Sequence, residues 1–294
     1  IEYASIILDE AHIIRNPEAK TTRAALKLQG RRRMCLSGTP VQNCAEDLWP
    51  IFHFLMPGFL GRRKTLKETL QEDGEAVERL RSRVAPFVLR RIKKEVAKEL
   101  PPKTEIQLHA QMGEDQQIFY RELLEKESVG VTDLLNSKGL ERSRVSILAA
   151  ITRLRQAACH PALVGGENVP SAKVELFLDL VDELIAEGHR ALVFSSFTKF
   201  LGLISAALEE RGYSYQYLDG RTRDRGARVK AFQNGDDPLF LISLKAGGVG
   251  LNLTAADYVL ILDPWWNPAA EDQAADRAYR IGQDKPVMVY RIVT

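Results

Sequence analysis

From Ser171 to Thr294 short apolar runs alternate with amphipathic stretches, and this rhythm restricts the fold more than any other feature of the chain. Val174, Phe177, Leu180 and Leu184 lie on one helical stripe behind Ser171, whose hydroxyl is suited to capping a first turn. Strands are then expected at 191–194, 215–218, 239–242, 258–262 and 287–292, with a helix running to Arg211, a turn at Asp219 and Gly220, and a helix starting at Thr222 between them. Strands parted by helices at this spacing wind as right-handed βαβ units, so the region reads as α/β with a parallel sheet.

Upstream the same alternation is shorter. Residues 3–8 read as a buried strand that delivers Asp9 to its carboxyl end, where α/β sheets place ligands. A helix over 20–28, a strand over 32–36 and a buried helix over 46–55, closed by Pro57 and Gly58, follow. From Arg62 the pattern turns helical and charged, reaching the basic run Arg90, Arg91, Lys93 and Lys94, which suits either solvated helix faces or a nucleic-acid contact. Pro101 and Pro102 mark a hinge. Beyond it come a strand over 104–110 and helices over 114–126 and 143–158, with a polar, flexible tip around 130–139. Gly165, Gly166 and Pro170 loosen the chain once more. These breaks divide it at 1–57, 58–100, 101–112, 113–170 and 171–294.

Size and charge bound the function classes. With 294 residues, 45% of them hydrophobic, the chain can build about two domains. A net charge of only +2 means that any nucleic-acid contact has to come from clustered arginine and lysine. Cys35, Cys44 and Cys159 show no paired spacing, which argues against disulfides or a zinc site and fits a reducing, intracellular setting. No apolar run approaches a membrane span, so no membrane association is expected.

Three stretches carry chemistry. In 263–283 (DPWWNPAAEDQAADRAYRIGQ) Pro268 suits a first helical turn, and Gln273, Arg277 and Arg280 fall three and four apart, so they are expected to share one helical face. Paired guanidinium forks suit phosphate oxygens; the plainer reading is a solvated helix with ion pairs to Asp272 and Asp276. Trp265 and Trp266, adjacent and flanked by prolines, cannot both face a core. At the other end, Asp9 and Glu10 of LDEAH follow an apolar run, an arrangement that suits Mg²⁺ bound by Asp9, with Glu10 polarising the attacking water. In SLKAGGVGLNL, Lys245, Gly247, Gly248 and Gly250 sit past a strand end, where glycines expose backbone N–H groups to phosphate. Nowhere does the sequence contain G-x-x-x-x-G-K-[ST].

LDEAH (Leu8 to His12), LSGTP (Leu36 to Pro40), SLKAGGVGLNL (Ser243 to Leu253) and DRAYRIGQ (Asp276 to Gln283), in this order, resemble the Swi/Snf family of DNA-dependent ATPases within the second helicase superfamily. FVLRRIKKEVAKELPPK (Phe87 to Lys103) and LRQAACHPALV (Leu154 to Val164) extend the likeness nearly end to end. The resemblance implies RecA-like parallel-sheet lobes with helical protrusions, the first lobe being completed upstream of Ile1 by a phosphate-binding loop. It implies ATP and Mg²⁺ as cofactors. Asp9 and Glu10 would hold the metal, with Asp9, Gly248, Gly250, Gln273, Arg277 and Arg280 around the nucleotide and Glu10, Arg277 and Arg280 catalytic. It places duplex DNA against Ser195, Ser196, Lys245, Asn252, Trp266 and Asn267, and gives His12, Ser37 and Thr39 a coupling role.

The expected function is ATP-driven translocation along double-stranded DNA without strand separation, inside the cell and against DNA or DNA-bound proteins. A DNA- or partner-binding half-motor without hydrolysis, and an RNA helicase of the same superfamily, are the alternatives. Tyr279 stands where the family's RAHRIGQ-type ending has histidine, and is expected to point away from the arginine face.

Overall fold

The computed structural model describes residues 2–38, 40–41, 44–72, 74–247, 250–266 and 268–294. The chain divides into two compact units, Ile1–Ile92 and Lys93–Thr294.

In the first unit β1 (Glu2–Leu8) pairs in parallel with β2 (Gln29–Cys35), Leu8 opposite Cys35, and α1 (Lys20–Leu26) connects them. α2 (Leu48–Leu55), α3 (Arg63–Glu72) and α4 (Ala76–Val84) follow. Ile6, Ile14, Ala25, Ile51 and Phe54 form one cluster, and Phe52, Leu60, Leu80 and Val84 a second, so α2 contributes to both. The sequence predicts a buried strand over 3–8, but only Ile6 of β1 is buried, and Ile7 is 59% exposed. Side chains alternate across a strand, and the packing on this pair lies on the Ile6 side.

The second unit opens with α5 (Lys93–Val96) and is built on six parallel strands in the order β3-β8-β7-β4-β6-β5. These are β3 (Lys103–His109), β4 (Ala191–Ser195), β5 (Tyr215–Leu218), β6 (Leu239–Ser243), β7 (Tyr258–Ile261) and β8 (Val287–Val293). β3, read from sequence as part of the connection, is an edge strand of this sheet, paired from Lys103↔Val287 to His109↔Val293. Every residue of β4 and β6 is buried.

Alternate residues of each strand feed opposite cores. Val193, Leu241 and Leu260 pack against α7 (Ala172–Ala186) and α8 (Thr198–Glu210), whereas Leu192, Phe194, Phe240 and Ile242 pack with Phe232 of α9 (Arg225–Asn234), Ala246 of α10 (Leu244–Gly247) and Ala275 of α11 (Pro268–Ala275). Helices on both faces of a parallel sheet make a doubly wound α/β unit. Phe194, wholly buried among these groups, is expected on replacement by alanine to cost about 3–5 kcal/mol, measurable as a lowered denaturant midpoint for this unit.

Ser171 caps α7 as its position predicts, accepting from the Val174 N–H at 3.3 Å. α9 starts later than Thr222, because the carboxylate of Asp219 accepts the backbone N–H groups of Arg221 and Thr222 in an Asx turn and Asp224 becomes the cap. α6 (Glu114–Cys159) is two helices meeting at a kink, where the backbone leaves helical values at Gly139 (φ 73°, ψ 170°), so the predicted pair is present and each member runs further toward the kink than its pattern suggests. Residues 130–138, expected as a flexible tip, are helical.

Candidate functional site

In the first unit two backbone bonds stitch the acidic turn to the segment after β2: the Leu36 N–H donates to the Leu8 carbonyl at 2.8 Å, and the Ala11 N–H to the Leu36 carbonyl at 2.9 Å. Between them Glu10 adopts a left-handed backbone (φ 50°, ψ 46°), the only positive φ at a non-glycine among the described residues. That conformation costs about 1–2 kcal/mol, and it is anchored here by the Glu10 N–H donating to Asp9 Oδ1 at 2.9 Å. Asp9 is exposed, and Glu10 Oε2 lies 3.2 Å from His12 Nδ1. The same ring nitrogen is 3.5 Å from Ser37 Oγ. His12 and Ser37, far apart in sequence, therefore meet beside the acid pair; Thr39 lies outside the described residues. No group of three ligating side chains occurs among the described residues, but Mg²⁺ takes one or two carboxylates together with phosphate oxygens and water, and Asp9 fits that demand.

In the second unit the parallel strands all turn their carboxyl ends to one edge, which gathers Ser195 at the end of β4 and Ser196 just past it, Lys245 after β6 and Asp263 to Trp266 after β7. Lys245 and Asn252 are exposed. Gly247 is dictated by space, since a β-carbon there would approach the Phe194 ring to 2.8 Å. Gly250 has φ 40°. Gly248 and Asn267 lie outside the described residues. Ser195 does not suit a DNA contact in this structure. It is 0% exposed, and its hydroxyl accepts the Phe197 N–H at 3.0 Å, because β4 is still inside the sheet at that point. Ser196 is half-buried, and its N–H and hydroxyl both donate to Asp263.

The arginine stretch departs from a continuous helix. α11 ends at Ala275, and the next turns tighten to i→i−3 bonds, Arg277 N–H to Ala274 and Ala278 N–H to Ala275. Gln273, Arg277 and Arg280 consequently do not share one helical face: Arg277 is 7% exposed, Gln273 half-buried and Arg280 exposed. Long-range bonds set this geometry. The Leu253 N–H donates to the Arg277 carbonyl at 3.0 Å, the Arg280 guanidinium to the Leu251 carbonyl at 3.2 Å, and the buried Gln283 amide to the carbonyls of Thr254, Ala256 and Ala278. The acids near the arginines have other partners, Asp272 facing Arg291 at 3.6 Å and Asp276 facing Lys93 at 2.6 Å. Tyr279 packs beneath Lys93 and Lys103, whose ammonium groups sit 5.4 and 5.8 Å from its ring.

Sequence reading missed the interior beneath the tryptophans. Lys173, buried in α7, donates to the Leu262 and Ile292 carbonyls at 2.9 and 3.1 Å. Burial pushes its ammonium below the usual lysine range and holds the Asp263 carboxyl above the usual carboxylate range, against the pull of the hydrogen bonds from Ser195 and Ser196. The only sequence signal was Lys173 interrupting an otherwise apolar stripe behind Ser171.

Residues 1–163 match the family model for the SNF2-related domain, and residues 172–282 that for the helicase conserved C-terminal domain. The chain is 36% identical over 98% of its length to an uncharacterized ATP-dependent helicase of Mycoplasma pneumoniae, covering 28% of that protein. It is 36% identical over 98% of its length to the human SWI/SNF-related matrix-associated actin-dependent regulator of chromatin subfamily A member 1, covering 29% of it. Among solved structures it resembles the Sulfolobus solfataricus SWI2/SNF2 ATPase core in complex with double-stranded DNA, with a TM-score of 0.56 and 31% identity over 100% of this chain and 64% of that one. The chain thus spans less than a third of these curated relatives.

Proposed function

The chain belongs to the SNF2-related family, and on that premise we propose that it is part of an ATP-driven motor that moves along double-stranded DNA without separating the strands. The observation that carries this reading is the direct bonding of the arginine turn to the segment behind the glycine loop, Arg277 carbonyl to Leu253 and Arg280 to Leu251. Groups suited to a nucleotide and groups suited to a nucleic-acid backbone thereby move as one piece.

Mg²⁺, when bound through Asp9 with ATP, would neutralise charge on the β- and γ-phosphates. Glu10, held in its strained turn, orients and deprotonates the attacking water, and Arg277 and Arg280 offset charge building on the phosphate oxygens. His12 and Ser37, in mutual contact beside Glu10, couple that chemistry to movement. Lys245 and Asn252 grip the sugar-phosphate backbone, supplying affinity without sequence preference, and Trp266 presents its exposed ring to the duplex. The names of the solved relative with DNA and of the human chromatin regulator support a duplex substrate, which DNA-bound proteins would share. The setting proposed is intracellular, on DNA.

The test compares the 294-residue chain with the full-length protein. Because the sequence contains no G-x-x-x-x-G-K-[ST] loop, the chain alone is expected to bind duplex DNA and hydrolyse no ATP. The full-length protein is expected to hydrolyse ATP faster with duplex than with single strands or RNA, and to displace the third strand of a triplex while leaving a forked duplex paired. Stimulation by RNA alone, or unwinding of the fork, would defeat the reading.

A further inference from the structure

Arg155 lies near the end of α6, and its guanidinium is enclosed by three rings: its central carbon is 4.9 Å from the Trp265 centroid, 5.4 Å from Trp266 and 5.3 Å from Phe197. Its donors turn inward. Nη2 donates to the Pro264 carbonyl at 2.8 Å and stands 3.8 Å from the buried Asp263 carboxylate. On the far side of the loop the backbone N–H of Trp265 donates to Glu271 Oε1 at 2.5 Å, and Glu271 Oε2 accepts from Arg291 Nε at 2.7 Å. The loop is therefore gripped from both flanks while Trp266 is left 66% exposed. Holding a ring that large in one exposed pose costs side-chain rotamer freedom, which the contact with the Arg155 guanidinium offsets.

We propose that Arg155 is a positioning residue, the flat cationic template on which Phe197, Trp265 and Trp266 are set, so that Trp266 is presented to nucleic acid already ordered. The inference rests on the proposed function for its last clause alone. Direct phosphate binding by Arg155 is disfavoured by geometry, because its side chain is 19% exposed and its charge already faces Asp263. The planar guanidinium is needed for the stack; a lysine supplies charge without a face.

The experiment uses the chain with Trp49→Phe, so that only Trp265 and Trp266 emit, and a short duplex of mixed sequence as the probe. Without DNA, Arg155→Ala is expected to lower the tryptophan anisotropy and raise acrylamide quenching, with Arg155→Lys intermediate. With DNA, Arg155→Ala is expected to weaken duplex binding by up to about tenfold, because a ring no longer ordered in advance must be ordered on binding. The log–log salt slope stays unchanged, whereas a direct phosphate contact would reduce it by about 0.9. Combined with Trp266→Ala, the second substitution adds nothing.

Unchanged anisotropy and quenching, a slope reduced by about 0.9, or additive losses would each overturn the proposal. Should Arg155→Ala fail to fold, Arg155→Lys carries the same readouts with the same signs. If Trp266→Ala leaves duplex affinity intact, the DNA-facing role of that ring fails, and loosened emission in the DNA-free Arg155 variants still upholds the template.

Discussion

Glu10→Gln is expected to reduce duplex-stimulated ATP turnover of the full-length protein by about 10²–10⁴-fold, the scale of a lost general base, and to leave duplex binding unchanged. Glutamine keeps the length and the oxygen that faces His12 Nδ1 at 3.2 Å, and it tolerates the left-handed backbone no better and no worse than glutamate. Only the negative charge is removed. Glu10→Gly separates strain from chemistry: glycine relieves the positive φ and so stabilises the first unit by about 1 kcal/mol, while the catalytic loss persists. Initial rates at saturating duplex, paired with melting of each variant, read both effects. Near wild-type turnover in either variant would remove Glu10 from the reaction. A rate loss that follows melting would mark it as merely structural.

What the sequence disclosed and what it hid differ by the range of the interactions responsible. β4 and β6 were legible because each is a short, wholly apolar run buried on both faces, and the Ser171 cap because it bonds only to its own first turn. β1 was over-read: its apolar letters promise a buried strand, but burial depends on what covers each face, and only Ile6 is buried. The join between β3 and β8 was invisible, since Lys103 and Val287 are neighbours through the sheet alone.

Candidate-site residues follow the same rule. Asp9, Glu10 and Lys245 could be located because each follows a short apolar strand closely, and the exposure of Trp266 because two tryptophans between prolines exceed what a core accepts. The shared face of Gln273, Arg277 and Arg280 was a local inference that long-range bonds overrode: Leu253 and Gln283 claim carbonyls that a continuing helix would have used otherwise. Ser195 reads as a loop hydroxyl, yet the sheet runs one residue further and buries it. Arg155 and the Pro264 carbonyl are 109 residues apart, and Lys173 and the Ile292 carbonyl 119, beyond any motif.

Arg280→Ala is the second large expected effect, about 10³–10⁵-fold in kcat on the scale of an arginine finger. Arg280 is exposed and its guanidinium donates at 3.2 Å to the Leu251 carbonyl, a single surface bond whose removal is expected to leave melting nearly unchanged. Arg277 differs: it is 7% exposed, and Arg277→Ala is expected to lose rate and also about 1–3 kcal/mol of stability, because truncation strips hydrogen-bonding groups from the interior. Arg280→Lys should not restore the rate, since a point charge cannot reproduce the planar fork. The tie to Leu251 sharpens the test. If the arginine turn and the segment behind the glycine loop transmit duplex binding to the nucleotide, Arg280→Ala should abolish stimulation by DNA as well as lowering the maximal rate. ATP turnover measured with and without duplex decides this, and a variant that is slower but still fully stimulated would leave Arg280 in catalysis and exclude it from the coupling.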